Sequence, residues 1–302
     1  MFVARPPAAA PSRPSRCDLH LVRAVRRTFT GPAGFLADPA NRARVSEYLT
    51  DMGRPYGREV GKAQFGEPPS PALGQSYAEM ASALIGPAVR ADEPVDLLAL
   101  AFSVHDLRPG QQAAAYLSHR TPGEPMAFAM CDQGSAAAFS GLRIAREYAA
   151  SAGVRRALLI VVEQAALPYD SQGPVVSQHR GVAMLYGPRA APSARLADVR
   201  QHPGISPGEV AALAAADLKE LADDHGEVAV VVSDALAVIW TEPAAGQVLV
   251  MPPGQPSTGV WWGLIDELAL DAGRRPELVV AADYDPGLGY LCLTAFVTAP
   301  AA

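Results

Sequence analysis

Apolar residues fall along the chain in two rhythms. The segments 94–102 (PVDLLALAF), 156–163 (RALLIVVE), 181–186 (GVAMLY) and 227–233 (EVAVVVS) are near-continuous apolar runs between turn signals. That is the pattern of strands covered on both faces. Segments 125–130, 248–251, 277–282 and 290–297 read as further strands. Between them, 77–89, 111–117, 135–152, 207–224 and about 258–272 repeat their apolar positions at helical spacing. Strands alternating with helices predict an α/β architecture with its sheets buried on both faces. Both halves run in the same order: buried strand, Gly/Ser-rich turn, small-residue helix. This order predicts an internally duplicated fold. Residues 30–75 are rich in Gly and Pro, with GEPPSP at 66–71, and suit an irregular connection holding one or two short helices.

Composition narrows the class. With 302 residues, 49% hydrophobic and 19% charged, the chain can bury a sizeable core. A formal charge of −6 offers no footprint for a phosphate backbone, which argues against nucleic acid as a partner. No run of about 18 apolar residues occurs, so no membrane span is expected. Cys17, Cys131 and Cys292 lie far apart without C-x-x-C spacing, and no H-E-x-x-H is present. Neither a disulfide framework, a metal site nor a cofactor is expected. Residues 1–16 lack the apolar stretch of a secretory signal and read as a disordered or loosely docked tail. A cytoplasmic protein is the expectation.

Several segments, taken in order, resemble the ketoacyl-ACP synthase III branch of the thiolase superfamily. They are VDLLALAFSVHDLRP at 95–109, MAFAMCDQGSAAAFSGLRIAREYAAS at 126–151, RALLIVVEQ at 156–164 and HRGVAMLYG at 179–187. The block 253–297, from PGQPSTGVWW to GYLCLTAFV, is similar to the family's C-terminal region. The resemblance implies a thiolase fold, a duplicated five-layer α-β-α-β-α arrangement. It divides the chain into a tail at 1–16, an N-terminal half at 17–200 and a C-terminal half at 201–302. It further implies acyl-CoA or acyl carrier protein as partner, in biosynthesis of the polyketide or fatty-acid type. A dimer is implied, either with itself or with an active ketosynthase homologue, paired through the strand near 125–130. The interval of about 40 residues between the strands at 186 and 227 is short for the family and implies a reduced acyl channel.

The family uses a Cys, a His and an Asn: a thiolate at the start of a buried helix, with two groups that stabilise negative charge during condensation. Counting back from the helix, the nucleophile position falls on Ser135; counting forward, it falls on Gly134. Cys131 stands three or four residues earlier. The His position is held by Ser233 and the Asn position by Gln255. None of the three triad residues is retained.

Each candidate has two readings. Ser135 is an acyl-accepting hydroxyl if a base lies within reach, or a helix cap if none does. Cys131 is an alternative nucleophile, or a small residue at a strand end. Asp132 and Gln133 either orient a ligand or cap the helix. His105 and His179 are read as solvated or capping, and DPGLGY at 285–290 as the glycine loop near the active centre. Of Trp261 and Trp262, one is expected in the core and the other on an interface or pocket wall. Three functions follow. The first is a catalytically degenerate subunit pairing with an active condensing enzyme. The second is an atypical acyltransferase using Ser135 or Cys131. The third, a small-molecule hydrolase on another α/β fold, lacks the G-x-S-x-G elbow.

Overall fold

The computed structural model describes residues 19–57, 73–108, 112–166, 174–188, 194–271 and 274–298. The 1–16 tail, Cys17 and the 66–71 run lie outside them. Ten strands form one sheet: β1 (His20–Thr28), β2 (Leu97–Ala101), β3 (Met126–Met130), β4 (Ala157–Glu163), β5 (Arg180–Gly187), β6 (Ala194–His202), β7 (Val228–Val232), β8 (Gln247–Val250), β9 (Leu278–Asp285) and β10 (Tyr290–Thr298). The helices are α1 (Pro39–Gly53), α2 (Tyr77–Ala88), α3 (Ala113–Ser118), α4 (Ala137–Ser151), α5 (Pro207–Ala222), α6 (Asp234–Ala237) and α7 (Gly259–Leu268).

The order across the sheet is β3-β2-β4-β5-β1-β6-β10-β9-β7-β8. Read outward from the β1–β6 junction, each half repeats the other. β1 runs antiparallel to β5, β5 antiparallel to β4, and β4 parallel to β2, which is parallel to β3. β6, β10, β9, β7 and β8 repeat those relations. The duplication expected from the order of elements is therefore present strand for strand. The repeat opens at β6, before position 201. The two five-stranded units are continuous, joined where His20 and Leu21 pair with Arg195 and Ala194.

Side-chain parity sorts the core into layers. Alternate residues of both units pack with α4 and α7 in a shared inner core, where Phe139 of α4 meets Trp261 of α7 at a ring separation of 4.7 Å. The other faces carry α2 and α3 in one half, and α5 and α6 in the other. The result is the five-layer arrangement α-β-α-β-α. Helix α4, expected at the centre, buries Ala137, Ala138, Phe139, Ser140, Gly141, Leu142 and Ala145. Of the tryptophans, Trp261 is fully buried, while Trp262 lies at the layer's margin between the guanidinium groups of Arg26 and Arg180.

Three elements differ from expectation. β1 (HLVRAVRRT) and β6 (ARLADVRQH) are central strands, yet arginines interrupt their apolar pattern. Three of those arginines are in ion pairs: Arg23 with Glu93, Arg26 with Asp266, and Arg200 with Asp198, Asp217 and Glu220. The interval 187–226 therefore holds the first strand and helix of the second repeat. Helix α1, at 15 residues, is longer than the short helices expected in 30–75.

Glycines set how closely the central helices approach the sheet. A Cβ on Gly141 of α4 would lie 2.9 Å from Leu159 Cδ1, and one on Gly263 of α7 would lie 2.5 Å from Met251 Sδ and 2.8 Å from Val231 Cγ1. A branched side chain at Gly263 must push α7 off the sheet, so Gly263→Val is expected to destabilise by about 1–3 kcal/mol in chemical denaturation. Gly208, in the first turn of α5, faces open space. Gly208→Ala is expected to stabilise by up to about 1 kcal/mol in the same assay.

Candidate functional site

In each half the parallel strands end at the same rim, where the central helices begin. The rim is where an α/β sheet offers its ligand crevice. On β9 the inward-facing positions run Val279, Ala281 and then Asp283, with Asp285 two residues on. On β4 they run Ala157, Leu159, Val161 and then Glu163. Strand parity thus turns carboxylates inward at the ends of two otherwise apolar strands.

Asp283 joins two of the positions singled out in the sequence. The hydroxyls of Ser135 and Ser233 stand close enough to its carboxylate to favour its charged form. Ser233 also caps α6, its Oγ accepting from the Leu236 N–H at 3.2 Å, which leaves its proton for Asp283. Burial pushes Asp283 up to about 6, opposed by the two serine hydroxyls; nearby Asp285 adds to the rise.

Asp285 takes the other polar group of Ser135. Its Oδ2 accepts from the Ser135 N–H at 3.1 Å, while Oδ1 accepts from the N–H groups of Gly287 and Leu288, each at 3.0 Å. Gly134 makes the approach possible: its φ is +52°, and a Cβ there would sit 1.7 Å from Asp285 Oδ2. The 285–290 loop is thereby tied to the head of α4. A free N–H at a helix start, backed by the helix dipole, is the donor that a developing oxyanion needs. Here a carboxylate of the chain itself holds it.

Gln255 belongs to a second network, at the head of α7. Its Oε1 accepts from Thr258 Oγ1 at 3.4 Å, and its amide donates to the Gln178 carbonyl at 3.5 Å. The Thr258 hydroxyl donates mainly to Glu163, which also accepts the Ser257 and Thr258 N–H groups at 3.0 and 3.2 Å. Burial pushes Glu163 up to about 7 against those hydrogen bonds. Ser135 and Ser233 thus both stand beside Asp283, while the hydrogen bonds of Gln255 tie it elsewhere.

Cys131 lies partly buried in the turn before α4, beside Asp132, whose φ is +59°. Burial raises its thiol, and Asp132 adds to the rise through a hydrogen bond and its charge. A raised thiol is a poor nucleophile at neutral pH. Gln133 accepts from Ser140 at 2.6 Å, in a network that continues through Gln201 to Cys292. His179 Nδ1 accepts the Ala165 N–H at 3.2 Å, in the bend that follows β4. Asp283, Asp285 and Glu163 were absent from the candidates. The signal for them was an acidic residue in line with the inward positions of a buried strand.

Among the described residues no three His, Cys, Asp or Glu side chains could share a metal ion, and no helix is long and apolar enough to cross a membrane.

No family model and no curated protein sequence matches the chain. Its structure is similar to solved ones over nearly its whole length. AbyA1, a tetronic acid condensing enzyme, superposes with a TM-score of 0.59 at 16% identity, covering 92% of this chain and 99% of its own. ChlB3, described as an acyltransferase, gives 0.58 at 16%, covering 94% and 98%. The 3-oxoacyl-[acyl-carrier-protein] synthase III of Aquifex aeolicus VF5 gives 0.57 at 14%, covering 92% and 99%. With the repeated strand order and the five layers, these likenesses remove the hydrolase on another α/β fold. The chain is a thiolase-fold protein, built on the architecture of the synthase III condensing enzymes.

Proposed function

We propose that this chain is a condensation-silent, thiolase-fold subunit of acyl-thioester metabolism that pairs with an active condensing enzyme of the same fold. One observation carries the reading. The Ser135 N–H, at the head of α4, is taken by the chain's own Asp285, and a second buried carboxylate, Asp283, stands beside its hydroxyl. An acyl oxygen gaining negative charge there meets a carboxylate in place of a donor. Losing one such donor costs on the order of 100- to 1000-fold in rate. Ser233 supplies no imidazole, and the Gln255 amide is directed to the Gln178 carbonyl. Acyl-CoA or acyl carrier protein would then be engaged by the pair. β3, an edge of the sheet made only of Met, Ala and Phe, is the strand through which the partner would extend it.

The purified chain, given malonyl-CoA and an acyl-CoA donor, is expected to form no β-ketoacyl product. Restoring Ser135→Cys, Ser233→His and Gln255→Asn together should recover little while Asp285 holds the helix start. Robust condensation by the unmodified chain alone would overturn the reading. Light scattering should show a dimer, with itself or with an active homologue. A monomer in both settings contradicts the pairing.

A second reading has its own observation: Asp283 stands beside the Ser135 hydroxyl and is mostly ionised above about pH 6, as a general base must be. Under that reading, incubation with acyl-CoA or acyl carrier protein adds an acyl mass that Ser135→Ala abolishes and Cys131→Ala leaves. The silent reading expects no adduct.

Asp283 also makes a stability prediction. Because its folded value is raised, the native chain keeps a proton between about pH 4 and 6 that the unfolded chain has released. Stability from this group therefore falls as pH rises through that window, and stays low above it. Asp283→Asn is expected to be more stable than the parent above pH 6, by about 1–3 kcal/mol, with no gain at pH 4. Thermal melts of both proteins across pH 4–8 measure it.

A further inference from the structure

The internal repeat supplies a template against which each half can be checked, and the outer layer over β8 fails the check. In the first half α3 lies over the edge strand β3, bringing Ala113, Tyr116 and Leu117 into the same outer core as Ala127. In the second half the corresponding helix, α6, is a single turn and lies over β9. The parallel register sets Val248 opposite Val230 and Val250 opposite Val232, both outer-core residues, so these two valines face the outer layer. They are 40% and 51% exposed, and Val238, at the end of α6, is 81% exposed. β8 also ends the sheet, and none of its residues (QVLV) is charged or proline. Edge strands of soluble proteins ordinarily carry such protection or are covered.

Charge states what kind of cover fits. Residues 220–273 contain nine Asp and Glu and no Lys or Arg. Asp234 heads α6, and exposed Glu242 lies between α6 and β8. Glu220 and Asp266 are paired with Arg200 and Arg26, and Asp266 and Glu267 lie on α7 behind the sheet. The charges that flank the apolar strip along the chain are thus the acidic Asp234 and Glu242, which select a partner with an apolar stripe and basic flanks. The repeat sets its shape, since α3 covers the equivalent place as a helix.

We infer that the outer face of β8 docks an amphipathic helix of a partner protein, one that carries Lys or Arg beside its apolar stripe. The inference does not depend on the silent-site reading, because Val238, Val248 and Val250 take no part in the Ser135–Asp283 network. The test uses the full chain labelled at valine methyl groups. Two synthetic helix-forming peptides share one Leu stripe; one carries Lys and the other Glu at the flanking positions. The Lys peptide is expected to shift the Val248 and Val250 methyl signals saturably, and the Glu peptide to bind at least about tenfold more weakly. Val248→Ser with Val250→Ser, both at exposed positions, should cut binding of the Lys peptide by about tenfold or more and leave the melting temperature within about 2 °C. Unshifted Val248 and Val250 signals, equal binding of the two peptides, or unchanged binding by the double variant would each overturn the inference. So would concentration-dependent pairing of two copies of this chain that the double variant abolishes.

Discussion

The molecule turns on a crossed pair of helix caps. Each central helix begins against a carboxylate supplied by the opposite repeat. Glu163, at the end of β4, accepts the first N–H groups of the α7 region. Asp285, at the end of β9, accepts the Ser135 N–H at the head of α4. Both helix starts are buried, so their unsatisfied N–H groups would otherwise lack water. A carboxylate at the positive end of a helix gains from the dipole and loses from desolvation. The raised value of Glu163 shows that desolvation is the larger effect there. What the caps secure is orientation: each repeat holds the helix of the other at the shared rim.

Duplication then governs where the halves agree and where they part. They agree in strand order, in strand direction and in the close-packed glycines, Gly141 on α4 and Gly263 on α7. They part at the rim. The α7 head is closed by Glu163 alone, assisted by Thr258, whereas the α4 head receives Asp283 and Asp285 together. Two carboxylates at one helix start repel each other, and Asp285 contributes to the rise in Asp283. One carboxylate suffices to cap, so the second is not explained by capping. Its place beside Ser135 and Ser233 is where the α4 end departs from the symmetric frame.

What could be read from the sequence follows from how much each residue depends on distant partners. The runs LLALA, ALLIVVE and VAVVV are apolar because both of their faces are covered, and that shows in any window. β1 and β6 are just as central, but Arg23, Arg26 and Arg200 on them are paired with Glu93, Asp266, Asp217 and Glu220, which lie elsewhere in the chain. No local pattern shows a charge that is paired 20 or 240 residues away. The same limit applies at the site. Ser135 and Ser233 could be located by their place after a strand, yet the residue that joins them sits 148 and 50 positions on from them. The inward parity of ALLIVVE and LVVAADYD, each ending on an acid, was the local trace of Glu163, Asp283 and Asp285.

The chemistry of the rim follows from this exchange of partners. A condensing site needs a helix start that is closed to water but open to an incoming acyl oxygen, with its N–H donors unspent until the transition state. In this chain the donor is spent in the ground state. Asp285 is itself anchored by the Gly287 and Leu288 N–H groups, so leaving the Ser135 N–H means moving the 285–290 loop. Gly134 strengthens the case, because its left-handed backbone and missing Cβ are what let Asp285 approach. The contact ties the start of the first central helix to the opposite repeat, and under the proposed silent reading the same contact keeps the Ser135 N–H from an acyl oxygen.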